Sequence, residues 1–337
     1  MSRDRTGHSP RRPRSLSRFA LVTGALTALS MAASGCVVVH GERRIVPAAT
    51  PGEAARALKD FTVAYNNADR TYDRSKDADR VTGPLADIDG ARLKAGRTNN
   101  PGGNPSHSPL EFDDAEYAIP AKAGWPRWFV ANTTANKGTP GSRWLLVFTR
   151  GSAAEVWQAS YLTVLGAGDV PKFPRDENGW AEPVTADDAA LAVEPERLGR
   201  TYSAYLKAGG DTFASGIHTS QWRAQREKFA SKPGLARQYI DEPLVSGDYA
   251  PVGLRTADGG ALVFFATHRF EKQTAAAGTS IPDPSADVRA LTTGEIKQSL
   301  TLEFVSNQVV LDPAKGSGDQ RVSVLGRIEG LTGAKGD

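Results

Sequence analysis

Two helix-patterned segments stand before an uninterrupted run of strand-patterned ones, and the same order then repeats further along the chain. Thr50-Pro51-Gly52-Glu53 has the form of a capping box, with Thr at the N-cap, Pro at the first helical position and Glu three residues after the cap. Behind it Leu58, Phe61, Tyr65, Ala68 and Tyr72 recur at helical spacing, one face of an amphipathic helix. Charge density rises after Asp69, and Gly83-Pro84-Leu85 punctuates it, so a second helix follows. The period then changes. Segments 116–120, 127–134, 144–149 and 156–165 are short and rich in Trp, Phe, Val, Tyr and Thr, and they read as an antiparallel meander. Strands that follow one another without intervening helices imply an α+β fold rather than a doubly wound parallel sheet. A sheet with one wet face needs a cover on the other, and the helix from Glu53 supplies it.

The plan restarts after residues 166–192, a polar, turn-rich interval. Pro195 opens a helix whose Leu198, Tyr202, Tyr205 and Leu206 share a face, and a second helix covers about 220–230. Strands are expected at 249–256, 260–272, 298–304, 308–311 and 322–328. Comparing "LKDFTVAYNNAD" with "LGRTYSAYLKAG" places Leu58 with Leu198 and Tyr65 with Tyr205. The expectation is therefore two similar α+β domains, 53–168 and 194–333, joined by a linker over 169–193. Each has N-terminal helices packed on a curved antiparallel sheet.

Ahead of the first helix lies a different kind of segment. Six arginines between Arg3 and Arg18 precede an apolar run from Phe19 to Ala33. A run of about 15 residues falls short of the roughly 20 that a spanning helix needs, and a basic head with a short apolar core is the layout of an export signal. The run ends in Ala33-Ser34-Gly35-Cys36, and Cys36 is the only cysteine among 337 residues. These four residues resemble the lipobox of bacterial lipoproteins. The resemblance implies cleavage after Gly35 and lipid attachment at Cys36, leaving 1–35 as a signal peptide and 36–52 as a tether. It also accounts for a thiol that stands alone, since an unpaired cysteine is a liability in an oxidising compartment and an alkylated one is inert. Arg11-Arg12 hints at the twin-arginine route, but Pro13-Arg14-Ser15 lacks the usual continuation, and both routes stay open.

Processing changes the charge. The whole chain carries 41 Lys+Arg against 38 Asp+Glu, and the signal holds six Arg and one Asp, so the mature part has 35 against 37. No dense basic cluster survives to neutralise phosphates, which sets nucleic-acid binding aside.

Two amphipathic helices followed by a curved antiparallel sheet resemble the cone-shaped fold of nuclear transport factor 2 and ketosteroid isomerase. The lipobox with a tandem arrangement is similar to uncharacterised lipoproteins of high-GC Gram-positive bacteria. In enzymes of the cone fold, a pocket between helices and sheet holds an acidic base and a Tyr or Asp acid. Tyr65, Asp69 and Tyr72 are of the right types, but they match no family position and no catalytic residue is carried over.

The chain has no nucleophile elbow, zinc-protease helix, Walker loop or calcium loop. His40, His107, His218 and His268 are far apart in sequence, and neither metal nor cofactor is expected. The segment 96–109 is saturated with turn formers and reads as a mobile loop, His107 in it as a solvated histidine. The aromatic-rich first half supplies candidate pocket-lining residues: Tyr65, Tyr72, Trp128, Trp144 and Trp157. Three classes follow. The leading one is a non-catalytic module on the outer face of the membrane, anchored by lipid on Cys36 and binding a small apolar ligand, a wall component or an envelope protein. The second is an isomerase- or hydrolase-like enzyme, which needs a carboxylate buried among aromatics. The third, a solute-binding lipoprotein of a transporter, usually alternates strands and helices, and this chain does not.

Overall fold

The computed structural model describes residues 44–337. Gly35, Cys36 and the signal segment lie outside the described residues. The first helix, α1 (Pro51–Thr71), begins at the expected capping box: Thr50 Oγ1 accepts from the Glu53 amide at 3.2 Å and Glu53 Oε2 accepts from the Thr50 amide at 2.8 Å. The last part of the expected tether is docked rather than free. Val46–Pro47 pairs with Ala121–Lys122, and Ala48 and Ala49 are buried. A second helix, α2 (Gly83–Asn99), runs longer than its punctuation alone indicated and takes in the start of the expected loop.

The first sheet is an antiparallel meander of β1 (Phe112–Ala118), β2 (Arg127–Ala135), β3 (Arg143–Arg150) and β4 (Gln158–Leu165), in that spatial order. The second half contributes α3 (Pro195–Ala208), α4 (Ser220–Phe229), β5 (Leu235–Leu244), β6 (Val252–Arg255), β7 (Ala261–Ala275), a one-turn helix α5 (Ala286–Leu291), β8 (Ser299–Asp312) and β9 (Ser323–Gly336). In this sheet β7 pairs along its whole length with β8, and β8 pairs with β9. On the other side of β7, β6 occupies one end and β5 the other.

The central strands of the two sheets bury both of their faces, not one, whereas β5 keeps a wet face on which Ile240 is exposed. Phe129, Ala131, Leu146 and Phe148 face α1, whose Leu58 and Phe61 pack on them. Their neighbours Trp128, Val130, Leu145 and Val147 point the opposite way, onto Leu262, Phe264 and Ala266 of the second sheet. Val263 and Phe265 in turn face Leu198, Tyr202 and Tyr205 of α3. The layers are thus helix, sheet, sheet, helix. The expected wet face is occupied by the other sheet, and the cause is visible in "WFVA", "WLLVF" and "ALVFFA". Runs without polar alternation suit strands covered on both sides. Residues 44–337 consequently form one compact unit, in which two α+β halves share the core between their sheets.

Some expectations about strands need correction. Segments 298–304 and 308–311 are one continuous strand, β8, in which the buried polar residues Ser306, Asn307 and Gln308 bond to Thr267 of β7, the Leu162 amide of β4 and one another. The strand expected at 322–328 continues to Gly336. Strand β5, in "LARQYIDEPL", was not expected at all, since its inward charges Arg237 and Asp241 hide the apolar alternation; they are paired with Glu271 and Arg226. Residues 169–193 are not a free linker either. Ala181 and Leu191 are buried, and Val170, Phe173 and Trp180 pack against the cores.

Candidate functional site

A cavity of about 170 Å3 lies between α1, α2 and the first sheet. Phe61 and Tyr65 enter it from α1, Leu85 and Ile88 from α2, and Phe112, Trp144, Leu146 and Leu162 from the sheet. Ile328 of β9 closes it from the second half, so both halves contribute to its wall. The lining is apolar except at one end, where Asp89 and Arg92 stand one helical turn apart on α2.

At that end the half-exposed Arg92 joins two buried carboxylates, Asp69 and Asp89. Arg92 donates to Asp89 Oδ1 through Nε (3.2 Å) and Nη2 (2.8 Å), and to Asp69 Oδ1 through Nη1 (2.5 Å). Its guanidinium also lies 5.4 Å from the centre of the Tyr65 ring. Asp69 Oδ2 meets His107 Nδ1 at 2.7 Å and accepts from the Asn104 side chain at 3.1 Å. Burial alone would raise the Asp69 carboxyl, but the His107 and Arg92 hydrogen bonds outweigh it and hold the group below the usual carboxylate range. Burial also pushes the Tyr65 hydroxyl up.

Behind Asp89 sits Asp77, which is 0 % exposed and whose two carboxylate oxygens, like Asp89 Oδ2, have no hydrogen-bond partner among the described residues. Burial, and after it the neighbouring Asp89 carboxyl, push Asp77 up to about 8. Two neighbouring buried carboxyls cannot both ionise cheaply, and a proton shared between them engages two of the three oxygens that otherwise have no partner. The polar end of the apolar chamber is therefore backed by a carboxyl whose burial favours its neutral form.

The sequence-selected residues divide. Tyr65 and Trp144 line the chamber together. Trp157 is buried in the same core but faces a separate surface groove beside Glu53 and Arg150. Trp128 lies on the other face of the sheet, in the core between the sheets. Tyr72 caps the C-terminus of α1 in the left-handed conformation, φ 50°, with its ring against Gly96. The mobile-loop reading of 96–109 fails at its centre. Asn104 and His107 are tied to Asp69, and the His107 side chain is only 16 % exposed, so it is paired rather than solvated. Asp77, Asp89 and Arg92 were not selected from the sequence. Only the i, i+3 spacing of Asp89 and Arg92 offered a signal.

Among the described residues no cluster of His, Cys, Asp and Glu is arranged to hold a metal, and no helix is long and apolar enough to cross a membrane. The family described as Domain of unknown function (DUF8094) matches residues 45–336. An uncharacterised lipoprotein of Streptomyces avermitilis is 65 % identical over 337 residues, all of both chains. An uncharacterised lipoprotein of Streptomyces coelicolor is 61 % identical over the same span. A second from Streptomyces coelicolor is 27 % identical over 320 residues, 88 % of each chain. No solved structure matches.

Proposed function

The chain belongs to the family described as Domain of unknown function (DUF8094), and we propose that it is a lipid-anchored module on the outer face of the cell membrane that binds a small, largely apolar molecule without transforming it. The anchor is Cys36, after cleavage at Gly35. The lipobox and the lipoprotein names of full-length relatives support it.

The observation that carries the binding role is the chamber between α1, α2 and the first sheet. Its volume of about 170 Å3 is close to that of a dry engineered cavity of about 150 Å3 that takes up benzene. The ligand class is therefore a ring of that size with at most one polar group, directed at Asp89 and Arg92. On this reading the halves 53–168 and 194–333 are two fused domains. The position of the chamber between two helices and a sheet supports a cone-like form for the first. Calorimetric titration with indole tests the role: wild-type protein binds, and Leu162→Trp, which fills the chamber, does not. Equal binding by both proteins would remove the chamber as the site.

One observation favours a second reading, an isomerase- or hydrolase-like enzyme: the proton-holding Asp77–Asp89 pair beside an apolar chamber is a set of groups suited to acid–base chemistry. Turnover of a chamber-bound ligand that Asp89→Asn abolishes, with binding kept, would establish it.

A further inference from the structure

From a groove in the second half, lined by a different set of residues from the chamber, we infer a second binding site, for an organic anion that carries a flat apolar body. The groove, about 290 Å3 and open to solvent, runs between α4 and the far end of β5 and β7. Its floor is aromatic, formed by Trp222, Phe229 and Tyr239, and its cations are Arg226, Lys232 and Arg237.

Two of these cations, Arg226 and Lys232, lie over the rings. The Arg226 guanidinium lies 4.9 Å from the Trp222 ring centre and 5.2 Å from that of Tyr239, and Lys232 Nζ lies 4.9 Å from that of Phe229. Arg226 is held from behind by a two-toothed pair with Asp241, at 2.5 and 2.9 Å, and its side chain is only 7 % exposed. Arg327 packs on Trp222 at 4.3 Å, and Arg269 is bound by Glu329 and Glu271.

Two features make this more than a solvated charge cluster. The first is the balance of charge: five cations, Arg226, Lys232, Arg237, Arg269 and Arg327, face three carboxylates, Asp241, Glu271 and Glu329. A surplus of two positive charges beside low-dielectric aromatic walls attracts an anion more strongly than the same charges in open water. The second is the supply of idle donors. Trp222 Nε1 and Arg226 Nε are buried without a hydrogen-bond partner among the described residues. Buried donors left idle are costly, and a carboxylate or phosphate has acceptors to spare. The rings give such a ligand's body a face to stack on.

Phenyl phosphate, phenol and inorganic phosphate are the probes, each titrated calorimetrically into the whole protein and, so that the chamber takes up no phenol, into Leu162→Trp. Phenyl phosphate is expected to bind about tenfold more tightly than either phenol or inorganic phosphate, since each lacks one half of the recognition. Affinity should fall about tenfold in Lys232→Glu and fall again with added salt. Lys232 is exposed at the end of a short surface strand, so this change leaves the fold intact. Leu162→Trp, with the chamber filled, should bind phenyl phosphate as wild type does. Absence of binding, affinity indifferent to Lys232→Glu, equal binding of inorganic phosphate, or loss of binding in Leu162→Trp would each overturn the assignment.

Discussion

Replacing Asp77 by Asn should make the protein more stable at neutral pH and remove part of its pH dependence. Asp77 is fully buried, its carboxyl is pushed up to about 8 by burial and by Asp89, and the ordinary value is 3.8. A group whose folded value lies above its unfolded one keeps a proton in the native state that the unfolded chain gives up. Its stabilising effect is whole below about pH 4 and is lost as pH rises towards about 8. While the native chain holds that one extra proton, each pH unit costs about 1.4 kcal/mol. Asn is close in shape, can donate to Asp89 Oδ2, and has nothing to release. The stability of Asp77→Asn relative to wild type should therefore grow by up to about 3 kcal/mol between pH 5 and 7. For a unit of this size that is a growth of about 5 °C in the difference between the two melting temperatures. Taking the difference cancels groups that titrate in both proteins, including Asp312, raised to about 7 chiefly by burial, and His218, lowered by burial. Thermal melts of both proteins at pH 5, 6 and 7 read it directly. A difference that stays constant across that range would refute the shared proton.

The remaining predictions concern the anchor, the shared core and the first helix. Cys36→Ala should release the protein into the medium or leave it unprocessed, because it removes acyl chains whose burial contributes about 0.8 kcal/mol per methylene; intact mass of the membrane fraction checks it. Phe264→Ala, at the interface between the sheets and 1 % exposed, should cost about 3–5 kcal/mol and lower the melting of both halves together, whereas two separate transitions in calorimetry would show that the halves do not share a core. Thr50→Ala should cost about 1 kcal/mol in denaturant unfolding, since it deletes the capping hydroxyl of α1.

How much of this was legible in the chain depended on whether the signal was local. The capping box at Thr50, the stripe of Leu58, Phe61 and Tyr65 and the apolar strands of the first sheet could all be read in windows of a few residues. They indicated the α+β class and singled out five aromatics, of which the structure puts Tyr65 and Trp144 beside the chamber. The same apolar runs held information that an assumption of one wet face suppressed: "WFVA" and "ALVFFA" have no polar alternation because two sheets meet there. Strand β5 went unread for the opposite reason, since Arg226 and Glu271 neutralise its inward charges from elsewhere in the chain. The polar end of the chamber was beyond local reading altogether. Asp69 and His107 are 38 residues apart, and nothing near His107 distinguishes a histidine docked on a buried carboxylate from one in solvent.

The most direct test of the chamber as a ligand site is a crystal structure of the protein exposed to benzene vapour. The account predicts density for one ring enclosed by Tyr65, Trp144 and Ile328, with the walls unmoved. A chamber that stays empty, or one whose side chains have collapsed to fill it, would contradict the claim that this protein carries a preformed apolar site between its first two helices and its first sheet.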